Sequence, residues 1–240
     1  EGPKAHQAKK GTPTMGGVLI NLAIAVPTVL WADITNRYVW VALGATLLAM
    51  LIGVGDDWRK VSRQHNRGLT GRQKLVLQTL IGIGVGWASL HLFERRPDPS
   101  GISFPFLKNL HPELGLFYVL FAAIVVVGSS NAVNLTDGLD GLAIGATLVA
   151  SGTFAILAYL AGNAKLATYL LVPSVPGTGE LAVFCSAIVG ASLGFLWFNC
   201  HPAEVFMGDT GSLALGAALG TVAVLIKQEV LLVFVGGLFV

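Results

Sequence analysis

The sequence predicts an all-α protein, a bundle of transmembrane helices that gathers its polar chemistry on one membrane face. Three observations carry that expectation. Apolar residues make up 54% of the 240-residue chain and charged residues only 12%, about half the charge that coats a soluble domain, so lipid must serve as part of the solvent. Continuous apolar runs near the ~20 residues needed to cross ~30 Å of hydrocarbon recur along the chain. They lack period-two alternation, which favours helices over a barrel. A net charge of +2 and the lack of a basic stripe with interleaved aromatics argue against nucleic acid as a partner.

Taken in order, the apolar runs cover 15–32, 39–55, 75–92, 115–130, 142–161, 181–198 and 211–226, with an eighth at 229–240. About eight spans therefore form one membrane domain over 1–240. The chain opens at Glu1 and stops at Val240 inside an apolar run, so it reads as an internal piece of a longer protein, truncated at both ends. Small residues recur within the runs, as at Gly82, Gly84, Gly86 and Gly216–Gly220, and let helices approach closely in lipid. Cys185 and Cys200 have neither metal-like nor disulfide-like spacing and read as isolated thiols.

The connecting segments set the orientation. Segment 1–14 carries Lys4, Lys9 and Lys10, and segment 56–74 carries Arg59, Lys60, Arg63, Arg67, Arg72 and Lys74. Both should face the cytoplasm by the positive-inside rule. Two spans separate 1–14 from 56–74, two more lead to 131–141, and another two to 199–210. An even number of crossings returns the chain to the same side, so all four segments share the cytoplasmic face.

These four segments hold the chemistry. Asp56 and Asp57 are adjacent at the end of an apolar run; a charge at a helix centre in lipid costs ~2.5–3.5 kcal/mol, so the pair suits a divalent cation or the water boundary. Asn131, Asn134, Asp137 and Asp140 follow one another at intervals of three, which on a helix places them along one face. Such a ladder suits a wet cleft for a metal or polar ligand, against the plainer reading of an Asx- and Gly-rich turn. Asp209, flanked by Gly208 and Gly211 at the mouth of a span, is a candidate Mg²⁺ ligand beside exposed backbone N–H groups. His201 reads as structural. Lys9, Lys10, Thr12 and Thr14 precede the first span and suit an anion, although topology explains the lysines equally well. Together they suit a Mg²⁺-bound diphosphate and a substrate with a lipid tail.

The segments Lys-Lys-Gly-Thr-Pro-Thr-Met-Gly-Gly (9–17), Gly-Asp-Asp-Trp-Arg-Lys (55–60), Asn-Ala-Val-Asn-Leu-Thr-Asp-Gly-Leu-Asp-Gly-Leu-Ala (131–143), Leu-Gly-Phe-Leu-Trp-Phe-Asn (193–199) and Val-Phe-Met-Gly-Asp-Thr-Gly-Ser (205–212) resemble the bacterial phospho-N-acetylmuramoyl-pentapeptide transferases. These belong to the polyprenyl-phosphate N-acetylhexosamine-1-phosphate transferases, glycosyltransferase family 4. The resemblance implies Mg²⁺-dependent transfer of phospho-MurNAc-pentapeptide from UDP-MurNAc-pentapeptide to undecaprenyl phosphate, giving lipid I and UMP, the first membrane step of peptidoglycan synthesis. It implies a multi-pass protein of the bacterial cytoplasmic (inner) membrane, with its site facing the cytoplasm, in a family that is often dimeric. Carried over by position, Asp56, Asp57 and Asp209 are catalytic, Asp209 is the metal ligand, and Asp56 is the candidate for deprotonating the lipid phosphate. Lys9, Thr14, Asn131, Asp137 and Phe206 match the nucleoside-sugar cleft, with Phe206 stacking on uracil. Lys60 is expected to meet the diphosphate, and Asn134, Asp140 and Asn199 complete the expected substrate-binding set. The family also has a helix before Glu1, and a His-rich loop and last helix after Val240; a chain ending at Val240 is expected to be inactive.

Sister GlcNAc-1-phosphate transferases share the Asp-Asp and Asn-x-x-x-Asp features, but Thr-Pro-Thr-Met-Gly-Gly favours the muramoyl-pentapeptide enzymes. A CDP-alcohol phosphotransferase would carry Arg where Ile144 stands. A cation transporter, the reading from a different class, would place its acids near the membrane midplane.

Overall fold

The computed structural model describes residues 12–62, 68–94, 96–105, 107 and 110–239. Its longer helices are α1 (Gly17–Trp31), α2 (Arg37–Ser62), α3 (Gly71–Leu92), α4 (Phe117–Thr136) and α5 (Leu142–Gly162), then the short α6 (Ala164–Leu170), α7 (Leu181–Asn199) and α8 (Gly208–Leu225), with a five-residue α9 (Leu231–Val235) following. The described residues contain no named strand, only an isolated bridge between Gly101 and Glu113. Among the described residues, six helices, α2 to α5, α7 with its preceding 3₁₀ turn, and α8, are long and apolar enough to cross a membrane.

Two of the expected eight spans differ. Helix α1 has 15 residues, about 22 Å at 1.5 Å per residue and short of the ~30 Å hydrocarbon core. Residues 229–239 do not form one continuous helix. After Lys227, whose φ is +58°, the chain forms only α9 and a 3₁₀ turn over Gly236–Phe239. The pair Gly236-Gly237 lies where a longer helix would have had to continue, and glycine is costly in a helix interior.

Helix α8 is the centre of the bundle. Its membrane window is 89% buried, whereas those of the other five range from 28% to 44%. The sequence explains why: Gly211, Ala214, Gly216, Ala217, Ala218 and Gly220 give it a thin profile that neighbours can surround. A Cβ at Gly216 would lie 2.5 Å from the Ser129 carbonyl oxygen on α4. The approach is fixed by hydroxyls, with Ser129 Oγ donating to the Gly216 carbonyl (2.7 Å) and Ser130 Oγ to that of Leu213 (3.0 Å). The surrounding helices instead turn Leu22, Leu51, Leu80, Ile124, Ile156 and Leu193 outward, as lipid-facing surfaces do.

The chemically loaded segments meet at one end. Backbone hydrogen bonds tie Gly16 and Gly17 to Phe206 and Met207 (2.9 Å each) and Phe206 to Pro13 (2.9 Å), joining the start of α1 to the start of α8. Asn199 at the end of α7 accepts from Gly141 N at the start of α5 (3.1 Å) and donates to the Val205 carbonyl (2.8 Å). At the opposite end, Lys227 donates to the carbonyls of Pro99 (2.7 Å) and Gly101 (3.0 Å), so Pro99 and Gly101 lie far from those segments along α8.

Candidate active site

The apolar run of α2 stops at 55, but the helix continues to Ser62 and carries Asp56 and Asp57 into the packed interior. Both are buried, Asp56 completely. A Thr70–Gln73 capping box starts α3 (3.1 and 3.3 Å) and places Lys74 in its first turns. Asp209 is the second residue of α8. The three carboxylates each offer an oxygen within 4.8 Å of the others.

Two lysines hold these acids together. Lys60 Nζ lies 2.6 Å from Asp56 Oδ2, 3.8 Å from Asp57 Oδ1 and 3.5 Å from Asp209 Oδ1. Lys74 Nζ lies 3.0 Å from Asp56 Oδ1 and pairs closely with Asp209 Oδ2. Asp56 Oδ1 also accepts from Leu69 N (2.6 Å), while the buried Oδ2 has no hydrogen-bond partner of good geometry despite its ion pair. Three carboxylates against two ammonium groups leave one negative charge, which favours a cation.

Asp57 acts differently from its neighbour. Its Oδ2 accepts from Thr210 N (2.9 Å) and Thr210 Oγ1 (2.7 Å), and its Oδ1 from Asp209 N (3.3 Å). It thereby caps α8 from another helix, satisfying N–H groups that the helix leaves free. The fit is tight: Gly208 has φ +69°, and a Cβ there would lie 2.6 Å from Asp57 Oδ2. A Cβ at Gly53 would collide with the Asp209 carbonyl.

The expected ladder of polar residues is only partly helical. Helix α4 ends at Thr136, with Asp137 as its C-cap, and turns follow. Asn131 and Asn134 share the helix, but Asp140 lies beyond it, because the glycines at 138 and 141 favour a turn. Asp140 Oδ2 meets His201 Nδ1 (3.0 Å) and accepts from Ala203 N (3.3 Å), bracing the 200–203 loop. Asn131 Nδ2 donates to Gln78 Oε1 (2.9 Å) and to the Val127 carbonyl (2.8 Å). Asp137 senses the cluster: burial first, then the charges of Asp209 and Asp57, push its carboxyl up to about 7.

Thr14 is exposed, and Asn134 and Phe206 are half-buried. Asn199 is buried and committed to loop backbone. Lys9 lies outside the described residues. Cys185 is buried and Cys200 exposed, both as free thiols. Sequence reasoning missed Lys74 and Gln78. A signal existed for Lys74: a lysine in the first turns of a helix opposes the macrodipole and so calls for a nearby acid.

An apolar helical bundle gathers three carboxylates and two lysines at one end, and the carboxylates lie close enough together to hold a metal ion. Sequence comparison specifies the class further. The glycosyl transferase family 4 profile matches residues 39–227, and phospho-N-acetylmuramoyl-pentapeptide-transferase signature 1 matches residues 9–20. The chain belongs to glycosyl transferase family 4. It is 54% identical over 256 positions to the phospho-N-acetylmuramoyl-pentapeptide-transferase of Koribacter versatilis, covering all of this chain and 67% of that protein. The like-named proteins of Geobacter sp. (strain M21) and Citrifermentans bemidjiense are 55% and 54% identical over 240 positions, covering all of this chain and 66% of each. The chain thus spans about two thirds of the length of these curated relatives.

Proposed function

We propose that the protein to which this chain belongs transfers phospho-MurNAc-pentapeptide from UDP-MurNAc-pentapeptide to undecaprenyl phosphate, releasing UMP and forming lipid I at the cytoplasmic face of the bacterial inner membrane. The observation that carries this reading is the convergence of Asp56, Asp57, Asp209, Lys60 and Lys74 where a lipid-facing bundle meets water. Clustered carboxylate oxygens are the donors that Mg²⁺ prefers, so the residues fit that ion. Bound there, Mg²⁺ would neutralise and orient the diphosphate.

The chain's own groups supply the rest. An oxygen of the lipid phosphate bonds to the sugar-bearing phosphorus of the donor, the bond from that phosphorus to the bridging oxygen breaks, and the bridging oxygen leaves as part of UMP. Lys60 and Lys74, which neutralise carboxylates in the chain alone, are placed to exchange those partners for phosphate oxygens. Asp209 would hold the cation. Asp56, between both lysines, is placed to take a proton from a lipid phosphate monoester, whose second pKa lies near ~6. Asp57 positions Asp209 by capping α8. Thr14, Asn131, Asn134, Asp137 and Phe206 surround the nucleoside-sugar side, Lys9 joins them from outside the described residues, and Asp140 and Asn199 brace its loops.

A cation-transport reading fits less well, because these acids sit in the last turns of α2 and the first turn of α8. The test is UMP release by the full-length parent with undecaprenyl phosphate and Mg²⁺. UDP-MurNAc-pentapeptide should support release, and UDP-GlcNAc should not. Release with UDP-GlcNAc alone would transfer the protein to the sister enzymes.

A further inference from the structure

Beneath the carboxylate cluster, four groups from three helices form a line of hydrogen bonds. Gln78 lies one turn past Lys74 on α3, and Leu213 one turn past Asp209 on α8, about 6 Å further along each helix at 1.5 Å per residue. Between them stand Ser130 and Asn131 of α4. Ser130 Oγ donates to the Leu213 carbonyl (3.0 Å), Gln78 Nε2 donates to Ser130 Oγ (3.1 Å), and Asn131 Nδ2 donates to Gln78 Oε1 (2.9 Å). Gln78 and Ser130 are 3% and 1% exposed, so water does not compete for these bonds.

The direction of the line is set at its Leu213 end. A backbone carbonyl can only accept, and a serine hydroxyl has one hydrogen to give. The Leu213 carbonyl takes that hydrogen, so Ser130 Oγ meets Gln78 as an acceptor. This draws the amide nitrogen of Gln78 to Ser130 and turns its oxygen to Asn131. Asn131 must then bring its own nitrogen to Gln78, and its second N–H goes to the Val127 carbonyl (2.8 Å). Reversing Gln78 would set oxygen against oxygen at Ser130 and nitrogen against nitrogen at Asn131, a costly arrangement in a buried network. Both N–H groups of Asn131 are therefore committed, while its Oδ1 receives no hydrogen bond among the described residues. Asn131 is half-buried, and the atom it has left for a ligand is an oxygen.

We infer that Gln78 and Ser130 are positioning residues that lock the Asn131 carboxamide with its oxygen toward the site. Position 131 then accepts a hydrogen bond from a hydroxyl or N–H group of the nucleotide-sugar donor and cannot donate one. An ionised diphosphate has no hydrogen to give, so this polarity leaves the phosphates to Lys60 and Lys74 and turns Asn131 to the sugar or nucleoside. The inference deepens the transferase reading and rests on it.

The experiment measures equilibrium binding of radiolabelled UDP-MurNAc-pentapeptide to the full-length parent and its variants in detergent, beside Mn²⁺ affinity and the thermal unfolding midpoint. Gln78→Met removes the oxygen that orients Asn131 and should weaken donor binding about tenfold, equivalent to ~1.4 kcal/mol, with Mn²⁺ affinity retained. Ser130→Ala releases the anchored end and should weaken it in the same direction. Gln78→Glu, which as the protonated acid keeps an oxygen for Asn131 and a hydrogen for Ser130, should restore most of the affinity. In an Asn131→Ala background, Gln78→Met should have no further effect, because the group it orients is gone. A merely structural role would make the two substitutions additive and would not distinguish Gln78→Glu from Gln78→Met. Additivity, unaltered donor binding by folded Gln78→Met or Ser130→Ala, or a loss of Mn²⁺ affinity in place of donor affinity overturns the inference. Absence of UMP release by an unmodified protein that binds the donor would instead overturn the transferase reading, which the binding measurement tests separately.

Discussion

At the residue scale, two adjacent aspartates have different tasks. Asp57 accepts three hydrogen bonds from the first turn of α8, so Asp57→Asn turns an amide toward backbone donors. We expect it to lower the thermal unfolding midpoint in detergent, at a cost of ~1–3 kcal/mol for the donors left unsatisfied. Asp209→Asn removes one of three clustered carboxylates and should leave the midpoint nearly unchanged. Lys74→Met should reduce turnover by ~10²–10³-fold, the usual effect of removing a preorganised donor to developing charge. Asp137 gives a pH signature. Its folded carboxyl titrates at about 7 against 3.8 for the free residue, so the stability it contributes is fully present below about pH 4 and is lost as pH rises through 7. With EDTA present, Asp137→Asn should flatten that part of the unfolding profile; an unchanged slope would remove Asp137 as its source. The three acids were legible in the sequence because charge is expensive beside apolar runs. Lys74 was not, because a lysine near a span end serves topology equally well until its partner on another helix is known.

At the element scale, counting crossings placed the four polar segments together, and their hydrogen bonds and ion pairs do join them. The ends of the elements were harder to read. Hydropathy stops at the first charge, whereas α2 continues to Ser62 because Lys60 and Lys74 neutralise its aspartates. The three-residue spacing of 131–140 suggested one helical face, but spacing alone does not reveal that α4 stops at Thr136. The far end of α8 makes its own prediction. Lys227 is buried, donates to two carbonyls and lies 3.9 Å from the Tyr118 ring centroid, while burial lowers its pKa to about 8. Nearby Glu229 accepts from Tyr118 Oη at 2.5 Å. Lys227→Met should destabilise the folded state by roughly 3–5 kcal/mol, as loss of one member of a buried charged group does. The check is a lower unfolding midpoint with metal affinity at the distant cluster retained.

At the scale of the whole molecule, the bundle is organised around a thin, small-residue helix that carries Asp209 at one end and is followed by Lys227 just past the other. Composition made the membrane class legible, because half the usual surface charge has to be replaced by lipid. The packing role of each glycine was not legible, since a glycine reads the same whether it packs against backbone, as Gly216 does, or against nothing, as Gly84 does. Asp209, in the carboxylate cluster it forms with Asp56 and Asp57 from another helix, is proposed to hold a divalent cation. The most direct test is Mn²⁺ binding to the full-length parent, followed by electron paramagnetic resonance, beside Asp209→Asn. The parent should bind Mn²⁺ that Mg²⁺ displaces, and the variant should lose it while remaining folded. Equal Mn²⁺ binding by the parent and the folded Asp209→Asn variant would contradict it.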